Sequence, residues 1–293
     1  MASPAKSSPG NSSFGQAADL RDFSGLLVLA GAGKMGGALL EGWLRLGLRP
    51  DHVVVLEPQL SPQIAGLAGR GVRLNPDPQT LAGVAAIVIA LKPQVAAQVI
   101  PALAPLVSDP TVVISIMAGR TLQFLEAALA RPAGHPCALV RAMPNTPAAI
   151  GRGITVAVPR NASTAQRELA DRLLAATGTV EWTEDETLMD AVTAVSGSGP
   201  AYVFLLAEAL AQAGAAAGLP PALAAKLARE TVAGAGELLH RSPLDAIVLR
   251  ENVTSPGGTT AAALAVLMGQ SGLAPLMEKA VAAATKRSRD LAG

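Results

Sequence analysis

Between residues 26 and 182 the chain alternates short β-branched apolar runs with segments of helical period. Residues 26–30, 53–56, 84–91 and 111–117 have the length and near-continuous apolarity of strands buried on both faces. Between the first two, residues 35–46 have a helical pattern, and Gly47 stands where a C-terminal cap belongs. Strand, helix, strand in this order predicts a parallel sheet with crossover helices. Residues 138–143, 154–158 and 179–182 are expected to complete the sheet at its far side. After Glu184 the strand signal stops. The remainder is Ala- and Leu-rich helix, broken at Gly218-Leu219-Pro220-Pro221, at Ser242-Pro243 and at Ser255-Pro256-Gly257-Gly258. The pattern predicts an α/β region over 25–184 and an all-α region over 185–293.

Half the residues are apolar but only 2% are aromatic. Cores must therefore be built by close backbone approach rather than by large rings. Net charge is +1 without a basic run, so the electrostatic footprint of a nucleic-acid binder is missing. Cys137 is the single cysteine, which excludes an intrachain disulfide and a multi-thiolate metal site; no metal is expected, and a reducing, cytoplasmic setting is. Residues 1–24 are rich in Ser, Pro, Ala and Gly with no apolar run of signal length, and read as a disordered extension. The uncharged stretch 252–277 is interrupted by two Gly-containing turns, so no membrane span is expected there. The small, sparsely charged residues around 207–225 suggest helices that bury surface against a second subunit.

The chemistry begins at Gly31-Ala32-Gly33-Lys34-Met35-Gly36, a G-x-G-x-x-G pattern that follows one predicted strand and opens a helix. In that context Gly31 allows the turn, Gly33 admits a pyrophosphate, and Gly36 lets helix and sheet approach. The first helical N–H groups, with Lys34 and Met35, face the phosphates. This predicts a Rossmann domain. Glu57 ends the second strand 21 residues after Gly36, where a carboxylate accepts hydrogen bonds from the adenosine ribose. Leu91-Lys92-Pro93 and Met143-Pro144-Asn145-Thr146-Pro147 stand at ends of later strands, on the ligand-binding edge. Lys92 and Asn145 are cofactor-binding candidates; each could instead belong to a plain structural turn. In the helical region, Ser196-Gly197-Ser198-Gly199-Pro200-Ala201 and Ser255-Pro256-Gly257-Gly258-Thr259-Thr260 each read as a helix N-terminus able to receive a carboxylate. His52, His135 and His240 lie outside all these motifs. A ketone reductase usually needs such an acid or base. An imine carries its own proton, so an orienting hydroxyl and a dipole can suffice.

Together these segments, with Asp190-Ala191-Val192-Thr193 and Glu251-Asn252-Val253-Thr254, resemble the pyrroline-5-carboxylate reductase family. The resemblance runs from Gly25 to the C-terminus; residues 1–24 have no counterpart. It implies a Rossmann domain followed by a helical dimerisation domain, a homodimer that can assemble into decamers, and an active site shared between subunits. The implied substrate is the cyclic imine Δ1-pyrroline-5-carboxylate, and the product is proline. Ser255, Gly258, Thr259 and Thr260 would bind the substrate, with the Thr260 hydroxyl as the catalytic hydrogen-bonding group near the imine nitrogen. The family's usual small or amide residue after the second strand is Glu57 here, which points to NADH over NADPH. Another two-domain reductase, of the β-hydroxyacid dehydrogenase type, would need an asparagine on the turn after Lys226, and none is there. A dinucleotide-sensing dimer without turnover would have no use for the intact hydroxyls of Ser255 to Thr260.

Overall fold

The structure is a computed structural model that describes residues 19–130 and 136–292. Its first half runs β1 (Leu26–Ala30), α1 (Lys34–Arg45), β2 (Val53–Leu56), α2 (Pro62–Gly66), β3 (Arg73–Leu74), β4 (Val84–Ile89), α3 (Ala96–Val99), β5 (Val112–Ser115), α4 (Leu122–Ala128), β6 (Ala138–Met143), β7 (Gly153–Arg160), α5 (Thr164–Leu174) and β8 (Gly178–Trp182). The strands form one sheet in the order β3-β2-β1-β4-β5-β6-β7-β8. Pairing is parallel except between β6 and β7. The order reverses between β1 and β4, which opens a crevice at their C-terminal ends.

The apolar runs are continuous because both faces of the sheet are covered. Leu27, Leu29, Val53, Val55 and Val88 point to one core, packed by Leu39, Leu40 and Trp43 of α1 and Leu173 of α5. Val28, Ala30, Val54, Ile87 and Ile89 point to the other, packed by Ile100, Leu103, Leu122 and Leu125. Close approach substitutes for large rings: a Cβ on Gly42 would sit 2.7 Å from the Ala176 carbonyl oxygen. Trp43, fully buried, donates its indole N–H to Leu173 O at 2.8 Å.

Two details of the sheet half differ from the sequence reading. The extension expected over 1–24 does not reach Ser24 as a free segment. Leu20 and Phe23 are 1% and 6% exposed within the first core, and the Leu20 N–H bonds to Leu46 O at 3.0 Å. Residues 1–18 lie outside the described residues. β3 was not expected; its two residues carry no period, and pairing with β2 alone creates it.

Among the described residues after Trp182 every regular element is helical: α6 (Met189–Val192), a π-helical turn over Thr193–Gly197, α7 (Gly199–Ala216), α8 (Pro221–Arg241), α9 (Ala246–Asn252), α10 (Thr259–Leu267) and α11 (Leu273–Ala292). α7 and α8 pack as a hairpin, and α11 folds back on α6 and the π turn. There Ser288 Oγ meets Asp190 Oδ1 at 2.7 Å. The helix expected after Ser196 does begin in this segment, at Gly199, but it is not a free N-terminus, because a π-helical turn leads into it. Ser198 joins the two, and its N–H is already bonded to Thr193 O at 2.9 Å. Pro200 stands in the first turn of α7, where its missing N–H costs no intrahelical bond.

Neither α7 nor α10 contains a buried residue. By length and composition the helical run 186–216 could cross a membrane, with 6% of its apolar window buried.

Candidate active site

The glycine loop sits at the crevice between β1 and β4. Gly31 has φ +94°, and a Cβ there would lie 2.6 Å from the Ala90 carbonyl oxygen just beyond β4. A Cβ on Gly36 would meet Gly31 O at 2.2 Å, so the first turn of α1 rests directly on the loop. Gly33 differs: it is the N-cap of α1, and a Cβ there would meet nothing within 4 Å. Two glycines close the packing and the third leaves open space before a helix N-terminus. That is a cradle for a pyrophosphate. Lys34 is exposed and Met35 half-buried at its rim.

Glu57 follows β2 and is fixed from four directions. Its Oε2 accepts the Ala32 N–H at 2.9 Å and its Oε1 the Gln59 N–H at 3.0 Å. Its backbone N–H donates to Asn75 Oδ1, and its carbonyl accepts from Asn75 Nδ2. The carboxylate is thus tied to the middle of the glycine loop. Ser61, which could have offered a hydroxyl to a phosphate, accepts the Ile64 N–H as the N-cap of α2.

On the other side of the crevice, past β4 and β5, lies a cleft of about 450 Å³. Pro93, Ala118, Gly119 and Arg120 form its sheet-side wall; Thr193 and Ser198 of the π-turn segment and Arg287 and Ser288 of α11 face them. Arg120 donates to Pro93 O from Nη2 at 2.8 Å and lies 4.8 Å over the Phe124 ring. Lys92, exposed, precedes this wall. Asn145 is buried, and its Oδ1 accepts the Ile154 N–H at 2.9 Å, which holds its loop against β7. Gly197 of the π turn presses on Met143 at the end of β6.

The structure therefore gathers the glycine loop, Glu57, Lys92 and Asn145 along one sheet edge. It does not bring Ser255, Gly258, Thr259 and Thr260 there: none of the four lines the cleft. They form the start of α10. Gly258 caps that helix without a side-chain bond, and its N–H bonds to Ser255 O at 3.0 Å. The first intrahelical bond is Ala262 N–H to Gly258 O, so the Thr259, Thr260 and Ala261 N–H groups have no partner among the described residues. The hollow beside them is lined by α9, α10 and the turn between, including Glu251, Thr254 and Ala261. The sequence reading missed Ala118 to Arg120, although their place after a predicted parallel strand beside Lys92 could have flagged them. Arg287 and Ser288 had no local signal; only the return of α11 brings them in.

Comparison with known proteins agrees with both halves. Residues 186–291 match the family described as pyrroline-5-carboxylate reductase dimerisation, and residues 26–119 match the one described as NADP oxidoreductase, coenzyme F420-dependent. The pyrroline-5-carboxylate reductase of Synechocystis is 41% identical, over 90% of this chain and 97% of its own. That of Pseudomonas aeruginosa is 38% identical, over 91% and 96%. Among solved structures, the Coxiella burnetii enzyme superposes with a TM-score of 0.83 at 32% identity, covering 92% of this chain and 99% of that one. The Plasmodium falciparum enzyme, solved with NADP bound, gives 0.75 at 28% identity, covering 92% and 98%. With an identity this high across nine-tenths of its length, the chain belongs to the pyrroline-5-carboxylate reductase family.

Proposed function

We propose that this chain performs its family's reaction with NADH as the preferred donor, at a site completed by the helical half of a second copy. The reaction itself is reduction of Δ1-pyrroline-5-carboxylate to proline by a nicotinamide-dependent oxidoreductase, the closing step of proline biosynthesis. The helical half is a dimerisation region, and the protein is homo-oligomeric through it. Decamers, and the cytoplasm as the compartment, are our extension of that.

The dinucleotide's pyrophosphate would lie before Gly33, its ribose at Glu57, and its nicotinamide toward Pro93 and Ala118 to Arg120, with Lys92 near the bridging phosphates and Asn145 holding the adjoining loop. When bound, the dinucleotide supplies the hydride. The chain's own groups do the rest. The uncapped N–H groups at Thr259, Thr260 and Ala261 favour the substrate carboxylate through hydrogen bonds and the helix dipole. The Thr260 hydroxyl orients the imine nitrogen. A threonine hydroxyl is a poor proton source at neutral pH, so its role is orientation and polarisation; the imine arrives protonated, and solvent supplies the second proton to the product nitrogen.

Glu57 carries the cofactor reading. A carboxylate tied to the Ala32 and Gln59 N–H groups cannot readily swing away, and it can accept bonds from both ribose hydroxyls. A ribose phosphate would meet it as a like charge. Steady-state kinetics with the imine and each cofactor, followed by nicotinamide absorbance, tests this: kcat/KM should be higher with NADH. Equal or better kcat/KM with NADPH removes Glu57 from the ribose, and no oxidation of either removes the activity.

A further inference from the structure

Glu186 stands where the last strand has ended and the helical half begins. Its Oε1 accepts two hydrogen bonds at 2.8 Å, one from the Leu122 backbone N–H and one from Arg141 Nη1. Its Oε2 lies 3.5 Å from Arg160 Nη2, and Arg160 also pairs with Glu126 of α4 at 3.0 Å. The Arg141 side chain is only 6% exposed, so this carboxylate is the counter-ion of a buried charge on β6. Leu122 is the first residue of α4, and the loop just before it supplies Ala118, Gly119 and Arg120 to the cleft. The same loop is tied on its other side by Arg120 to Pro93 O. One carboxylate thus grips the first turn of the helical half, the sheet, and the loop facing the reacting end of the site.

We propose that Glu186 is a positioning residue for hydride transfer. It fixes the β5–α4 loop relative to the helical half, so that assembly of that half sets the pose of the nicotinamide end. The proposal rests on reading the cleft as that end. In the unmodified protein, bound NADH should slow hydrogen exchange over residues 118–122; without such slowing the cleft reading fails, whatever the variants do.

Two variants separate positioning from stability. Arg141→Met/Glu186→Leu removes both charges, a replacement that buried ion pairs often tolerate, but frees the Leu122 N–H. Its melting temperature should stay near the parent's. Exchange over 118–122 in the cofactor-free protein should speed up, and the single-turnover hydride-transfer rate should fall by about tenfold, as a misplaced reacting group predicts. Glu186→Gln keeps an acceptor for Leu122 but strands Arg141. Its melting temperature should fall, while the rate per folded site drops only about threefold, because a neutral acceptor is weaker than a charged one. A parent-like single-turnover rate in the folded double variant overturns the proposal. Should that variant not fold, a parent-like rate per folded site in Glu186→Gln overturns it equally.

Discussion

The two halves of this chain solve the burial problem differently. The sheet half contains its own cores: Leu27, Leu29, Ile87, Ile89 and Trp43 are fully buried within one copy. In the helical half, among the described residues, burial is limited to Met189, Ala194, Ala224, Ala228 and Ser288. Exposure is reversed. Among the described residues, only Val95, Val99 and Ile150 of the exposed large apolar side chains precede residue 184, whereas α7 alone leaves Val203, Phe204, Leu205 and Leu206 uncovered in succession. Covering each such side chain contributes about 1.5–3 kcal/mol. The sheet half thus buries its own core, and the helical half leaves its apolar faces for a second copy. Its apolar run 186–216 reads like a membrane span for the same reason: a helix apolar all round must be buried in something, and the matched dimerisation region says in what.

The sharpest way to break this contrast is to strike each half in its own manner. Phe204→Glu places a charge on the uncovered face of α7, where burial against a partner would cost several kcal/mol. Sedimentation should show monomers, and activity should be lost while dinucleotide binding by the sheet half persists. Leu20→Ala should do the opposite. It removes about 2–5 kcal/mol of stability in thermal or denaturant unfolding and leaves the oligomer intact.

Within the cofactor half, Gly33→Val separates packing from binding. A Cβ there would meet nothing within 4 Å, so the stability loss should stay near the ~1 kcal/mol of a disfavoured N-cap residue. It fills the space proposed for the pyrophosphate, so NADH affinity by fluorescence titration should fall by about a hundredfold, the cost of losing several charge-assisted bonds. Thr260→Ala probes the other half. Losing one hydrogen bond to a charged group should lower kcat by roughly 10- to 150-fold with NADH affinity unchanged. The smallest effect is expected at Glu57→Ser. It should narrow an NADH preference of about 5- to 150-fold in kcat/KM, because the like-charge penalty against the extra phosphate disappears.

The same contrast explains what was legible in the sequence. Strands such as 26–30 and 53–56 were legible because burial on both faces leaves an unbroken apolar run, and the glycine loop because its geometry is local. Arg73 and Leu74 carry no period, and only pairing with β2 makes them a strand. Leu20 and Phe23 were hidden in a segment whose composition argued for disorder, yet these two apolar side chains pack into the first core. Ser196 to Pro200 has the punctuation of a helix start, and α7 does start there, but the π turn that leads into it carries no such signal. The cleft's far wall, Arg287 and Ser288, depends on α11 folding back and could not be read from any window of sequence.

The central claim is that a complete site takes its cofactor half from one copy and Thr260 from another. Gly33→Val and Thr260→Ala variants, each impaired as a homo-oligomer, can be mixed by co-refolding at equal amounts and assayed for imine reduction. A shared site predicts recovery to about a quarter of the parent's specific activity, since half the dimers are mixed and each mixed dimer holds one site with both halves intact. A mixture no more active than the average of the two variants would place the whole site within a single chain and contradict the account.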